Sequence, residues 1–118
     1  MSYYTAFSLD VNGMKSEKDY NEVSQWLKDK DIINYALYED GYIPTSSTQY
    51  FSCSEPVNWT TSHEDMIELS KAFPQFVFRL NGDGEVSDDM WDHYYQNGED
   101  ELCLVELKFP EPTKIKWV

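Results

Sequence analysis

Asn97-Gly98 stands between two runs, Asp89 to Gln96 and Glu101 to Phe109, that are both rich in aromatic and apolar residues. Asn-Gly is a dipeptide that suits a tight hairpin turn. The spacing therefore predicts an antiparallel hairpin in the C-terminal half. A helix competes for the first arm, because Met90, Trp91, Tyr94 and Tyr95 would also share one helical face. Strand is the preferred reading, since the arm is strongly aromatic and helix capping would rest on Ser87 alone.

The hairpin lies inside a self-repelling stretch. Asp83, Glu85, Asp88, Asp89, Asp92, Glu99, Asp100 and Glu101 occur there without a Lys or Arg among them. A face of this kind presents a negative field and points to a basic partner. The whole chain agrees, with 22 acids against 9 bases over 118 residues, a formal charge of -13, and Arg79 as its one arginine. Direct nucleic-acid binding needs clustered Lys and Arg, and anionic membrane surfaces need the same sign, so both are disfavoured. The expected partner-binding set is these carboxylates together with Trp91, Tyr94 and Tyr95, because Trp and Tyr dominate interface hot spots.

A content of 41% hydrophobic and 16% aromatic residues is enough for a core. Tyr3 to Leu9 reads as a strand ended by Asp10, Asn12 and Gly13. Ser16 with Asp19 approximates a capping box for a helix to about Lys30, carrying Tyr20, Val23 and Leu27 on one stripe with Trp26 beside it. Asn34 to Glu39 and Thr48 to Cys53 read as short strands. Ser62 with Asp65, after Thr61 with Glu64, opens a second helix with Met66, Leu69 and Phe73 on its apolar face, and Pro74 ends it. Gln75 to Leu80 is the next strand, followed by a turn at Asn81-Gly82-Asp83-Gly84. With two or three more strands ending near Trp117, the order gives an α+β class: a ferredoxin-like split βαβ plan with two helices and an antiparallel β extension, in one domain over residues 1–118.

Several chemistries find little support. His63 and His93 are the only histidines, and His63 sits in the first turn of a capped helix beside Glu64 and Asp65, so no catalytic residue is assigned and the chain is not expected to be an enzyme. Counting an EF-hand loop from Asn81 puts Val86 where glycine is required and Asp92 where glutamate is required, so no metal site and no cofactor are expected. Gly82-x-Gly84 lacks the following helix and lysine of a phosphate loop. Cys53 and Cys103 fall in alternating runs and read as buried free thiols of a reducing cytoplasm. No apolar run of export or anchor length occurs, so a cytoplasmic location is expected, with no membrane partner.

Trp59, His63-Glu64-Asp65-Met66, Leu69-Ser70-Lys71, Phe73-Pro74, Phe78-Arg79-Leu80, Gly82-Asp83-Gly84-Glu85, Asp89-Met90-Trp91, Tyr94-Tyr95 and Asn97-Gly98 together resemble the YubB-type ferredoxin-like domain of small phage and plasmid proteins. The resemblance covers roughly residues 57–109. It implies a mobile-element origin and a strand through Asp89-Met90-Trp91 and the Tyr pair, and it carries no chemistry or site with it. That family commonly has lysine after Asn-Gly and basic residues beside the Tyr pair. Here Glu99 follows Gly98, and Asp92 and His93 follow Trp91, so the acidity is an addition to the scaffold.

The expected function is therefore inhibition of a basic, nucleic-acid-binding host defence protein by a phage or mobile-element protein of anti-CRISPR or anti-restriction type. Its acidic face would occupy the nucleic-acid cleft. The alternative is a non-catalytic interaction module or regulatory subunit that works without mimicry.

Overall fold

A computed structural model describes residues 3–42, 49–86, 89–104 and 113–114. Their order is β1 (Thr5–Asn12), α1 (Glu17–Asp29), β2 (Leu37–Glu39), β3 (Gln49–Cys53), α2 (Ser62–Ala72), β4 (Val77–Gly84), β5 (Met90–Gln96) and β6 (Glu99–Leu104). The strands form one six-stranded sheet in the order β2-β3-β1-β4-β5-β6, and every neighbouring pair is antiparallel. The described residues are thus α+β with two helices, an arrangement consistent with a ferredoxin-like fold.

One face of the sheet is the core. Phe7, Leu9 and Val11 of β1 alternate inward with Phe78 and Leu80 of β4, and Tyr20, Val23 and Leu27 of α1 and Met66 and Leu69 of α2 close over them. The period of two in the strands and the i, i+3, i+7 stripes in the helices are what place these side chains together. In β3 the register slips, with Leu9 opposite Phe51 and Asp10 opposite Gln49, so Tyr50 is an extra residue. Such a bulge re-aims side chains. Here Tyr50 and Phe51 both lie against Tyr20, at ring-centroid distances of 5.8 and 5.2 Å.

The helices start as their sequences suggest, with one difference. Ser16 Oγ accepts from the Asp19 amide at 3.3 Å, and Asp19 reaches back to the Lys15 amide at 2.9 Å. In α2, Thr61 is the cap residue, and its hydroxyl donates to Asp65 Oδ2 at 2.9 Å. The same carboxylate accepts from Trp59 Nε1 at 2.8 Å, which pins the buried indole beneath the helix entry.

Several expected boundaries shift: β4 starts at Val77 rather than Gln75, and β6 at Glu99 rather than Glu101. β1 runs on through Asp10 to Asn12, because these residues alternate outward while Leu9 and Val11 stay in the core. Asn34 to Ala36 form a turn rather than strand, with Asn34 at φ 68°, so β2 starts at Leu37. The turn expected at Asn81-Gly82-Asp83-Gly84 is the second half of β4. Gly82 lies directly opposite Trp91 on β5, and a Cβ there would run into the indole. Glycine is needed at that position for close approach rather than for turning. The strand past Leu104 and any strand near Trp117 lie outside the described residues.

Glu39 joins β2 to α1, accepting from Ser24 Oγ at 2.5 Å and pairing with Lys28 Nζ at 3.0 Å. The Ser24 hydrogen bond first, and Lys28 with it, hold its carboxyl below the ordinary range against the opposing effect of burial. A depressed folded pKa stabilises the protein above the unfolded value of about 4.3, and that contribution is lost as pH falls through the folded value. Glu39→Gln should lower stability at pH 7 by less than about 1 kcal/mol, since the pair is partly exposed. Urea unfolding should show the difference shrinking below about pH 4. A deficit of the same size at pH 7 and pH 3 would dissociate it from ionisation.

Candidate functional site

The acidic run divides between the two faces of the sheet. Cross-strand register places Asp83 of β4 opposite Met90, Asn81 opposite Asp92 and Arg79 opposite Tyr94. Across the next pair, Asp92 faces Cys103, Tyr94 faces Glu101 and Gln96 faces Glu99. Side chains two apart share a face. Asp83, Asp92, Glu99 and Glu101 therefore stand on the side away from the helices, and no described helix lies over them. Asp10 of β1 joins them, opposite Arg79.

Only part of this face is charge-compensated. Arg79 Nη2 donates to Asp10 Oδ2, and this bond, followed by one with Tyr94, pushes the guanidinium pKa still higher. Asn81 Nδ2 donates to Asp92 Oδ1 at 2.9 Å. Asp83, Glu99 and Glu101 are exposed, and none of them forms an ion pair among the described residues. Cys103 shares the face and is exposed, as is Cys53, so the expectation of buried thiols fails for both. Alternation correctly indicated both strands, but Cys103 is on the side the helices leave open, and Cys53, opposite the buried Leu37, is at the end of β3. Partial desolvation, then the charges of Glu101 and Asp92, push the Cys103 thiol up, which disfavours the nucleophilic thiolate.

The remaining expected partner-binding residues go elsewhere. Glu85 and Asp89 tie the turn after β4 to the start of the chain, Glu85 Oε1 accepting from the Tyr4 amide at 3.2 Å and Asp89 Oδ2 from the Tyr3 hydroxyl at 2.5 Å. Asp88 lies outside the described residues. Tyr94 is half-buried on the acidic side, lining a shallow cleft with Asp10, Asn12, Val77 and Arg79. Trp91 is on the helix side against Phe7, ring centroids 6.0 Å apart, and Tyr95 is 1% exposed in the core. Tyr95 therefore offers a partner no surface. Asp100 also points to the helix side, beside His93.

That helix side holds a cluster that sequence reasoning missed. β5 presents Trp91, His93 and Tyr95, β6 presents Asp100, Leu102 and Leu104, and α2 reaches them with His63. The helix is held there at its other end, where the Gly98 amide donates to Ser70 Oγ at 2.9 Å. The hairpin turn is the expected one, with φ of 48° at Asn97 and 82° at Gly98. His93 Nε2 lies 2.7 Å from Asp100 Oδ2, and His63 Nδ1 lies 3.1 Å from the Tyr95 hydroxyl. The two imidazoles stack at 5.2 Å between centroids, and His93 stacks on Tyr95 at 4.4 Å.

Two groups of the cluster have displaced pKa values. Hydrogen bonding to His93 holds the Asp100 carboxyl below its ordinary range, against a smaller desolvation effect. Burial, reinforced by the negative charges of Asp100 and Glu64, pushes the Tyr95 phenol well up, so it remains a neutral hydroxyl. Around the polar group, Trp91, Leu102 and Leu104 line an open hollow of ≈ 220 Å³. Leu102 and Leu104 are 51% and 68% exposed there.

No family model matches the chain, and no curated protein or solved structure shows significant similarity to it. No described helix is long and apolar enough to cross a membrane.

Proposed function

We propose that this protein is a non-catalytic binding module that docks a basic, nucleic-acid-binding protein onto the helix-free acidic face of its sheet. One observation carries the reading: Asp83, Asp92, Glu99 and Glu101 share that face in cross-strand register, accompanied by a single guanidinium already engaged by Asp10. Carboxylates two apart on a strand are about 6.6 to 6.8 Å apart, and neighbouring strands lie about 4.8 Å apart. A two-dimensional lattice of charge at that spacing can address Lys and Arg side chains that otherwise hold phosphates. The concrete form is inhibition by occupation of a nucleic-acid cleft, as in an anti-CRISPR or anti-restriction protein of a mobile element. The strand order, with β3 between β1 and β2 and β1 between β3 and β4, supports a split βαβ core extended by the β5–β6 hairpin.

The test is capture of the partner from a nuclease-treated bacterial lysate, followed by competition with DNA or RNA. Expected is a basic protein whose binding is mutually exclusive with nucleic acid and weakens steeply with salt, because exposed charges act over a Debye length of about 8 Å at physiological ionic strength. Affinity unchanged by several-fold more salt would exclude this mode. A partner that binds protein and nucleic acid together would support an interaction module without mimicry.

A further inference from the structure

The chain's two histidines come from α2 and β5, thirty residues apart in sequence, and the fold brings them together with one carboxylate. One ligand atom from each of His63, His93 and Asp100 can be chosen so that all lie within 4.8 Å of one another. We infer that these three side chains form a binding site for a first-row divalent transition ion, with zinc as its representative. Two imidazoles and a carboxylate are a donor set suited to that class of ion and leave a coordination position free.

The geometry needs little adjustment. Donors about 2.0 to 2.2 Å from a tetrahedral ion sit roughly 3.3 Å from one another. The His93–Asp100 pair, at 2.7 Å, would open by a fraction of an ångström as the ion replaces the shared proton. The exposed His63 closes the remaining gap by small side-chain rotations that keep its Nδ1 within reach of the Tyr95 hydroxyl. Its Nδ1 is already engaged by the Tyr95 hydroxyl. When Nδ1–H donates to the phenol oxygen, Nε2 carries the lone pair for the ion, the outer contact that orients many histidine ligands. Tyr95 is itself buried between the helix and the sheet, so this orienting group is rigid.

The surrounding charge has the correct sign. The chain carries -13 overall, and Glu64 adjoins His63 in sequence, so cations are concentrated near the site. His63 and His93 both line the hollow that Trp91, Leu102 and Leu104 complete. This site is on the opposite face of the sheet from the acidic docking surface, and the two stand or fall separately.

The experiment uses full-length, tag-free protein stripped with chelator. Zinc is titrated by calorimetry and cobalt by visible absorption, with histidine side-chain NMR as a local readout. One equivalent should bind, with four-coordinate cobalt bands and shifts in both imidazoles. His63→Asn, His93→Asn and Asp100→Asn should each weaken binding by about 100-fold or more, and Tyr95→Phe by roughly 10-fold or more, as an orienting group does. His63→Asn is the decisive variant because the residue is exposed and its loss leaves the core intact. No saturable zinc or cobalt binding below millimolar concentration would overturn the site. So would binding that survives His63→Asn and His93→Asn unchanged, which would move the ion to the acids of the other face.

Discussion

Reversing Asp83, Glu99 and Glu101 to Lys should reduce binding to the basic partner by about 100-fold or more and leave the fold intact. All three are exposed on the helix-free face and form no described ion pair, so their replacement removes no contact that holds the sheet. Each reversal exchanges an attraction for a repulsion. At roughly 1 kcal/mol per exposed position, three changes give about 3 kcal/mol, and each 1.4 kcal/mol is tenfold in affinity. The comparison is Glu17, Glu22 and Asp29 to Lys on α1, which alters the net charge by the same amount on the opposite side of the molecule. That triple should cost much less affinity. Equal losses from both triples would show that net charge alone governs association. An unaffected partner with the sheet triple would remove the docking face.

The hairpin was legible because its cause is local. Asn97 and Gly98 both adopt positive φ, and the two-residue loop then dictates that Gln96 faces Glu99 and Tyr95 faces Asp100. Two of the three residues of the His63, His93 and Asp100 cluster follow from this register. His93 and Asp100 must share a face, diagonally placed, once the turn is assigned. His63 could not be joined to them from sequence, because its position depends on where α2 crosses the hairpin. That crossing is set by tertiary contacts such as the Ser70–Gly98 hydrogen bond and the burial of Tyr95.

The same distinction explains the errors on the acidic side. Alternation located the strands carrying Cys103 and Tyr95, but the inward side is decided by which face α1 and α2 cover; Cys53 is on the core-facing side, opposite Leu37, and is exposed at the end of β3. The charge of Asp89 and Glu85 was visible in the sequence, while their bonds to Tyr3 and the Tyr4 amide, more than eighty residues away, were not. The misread turn at Asn81-Gly82-Asp83-Gly84 has one physical origin. Glycine signals a turn and a close approach equally, and only the residue opposite it separates the two.

That residue is Trp91, and Gly82→Val should therefore destabilise the protein by about 1 to 3 kcal/mol, with a fall in Tm of roughly 5 to 15 °C. Valine has the better strand propensity, so propensity alone predicts the opposite sign. The cost arises because a Cβ at position 82 enters the space of the indole, which in turn covers Phe7 and flanks His93. Displacing the ring uncovers the core edge and disturbs the hollow over the histidines. A double-mutant cycle isolates this cause: with Trp91→Ala already in place, Gly82→Val should be neutral or stabilising, because the clash is gone and the strand preference remains. Urea unfolding of the four proteins gives the coupling. If valine costs the same with and without the indole, the glycine is required by the backbone of β4 and not by the ring packed on it.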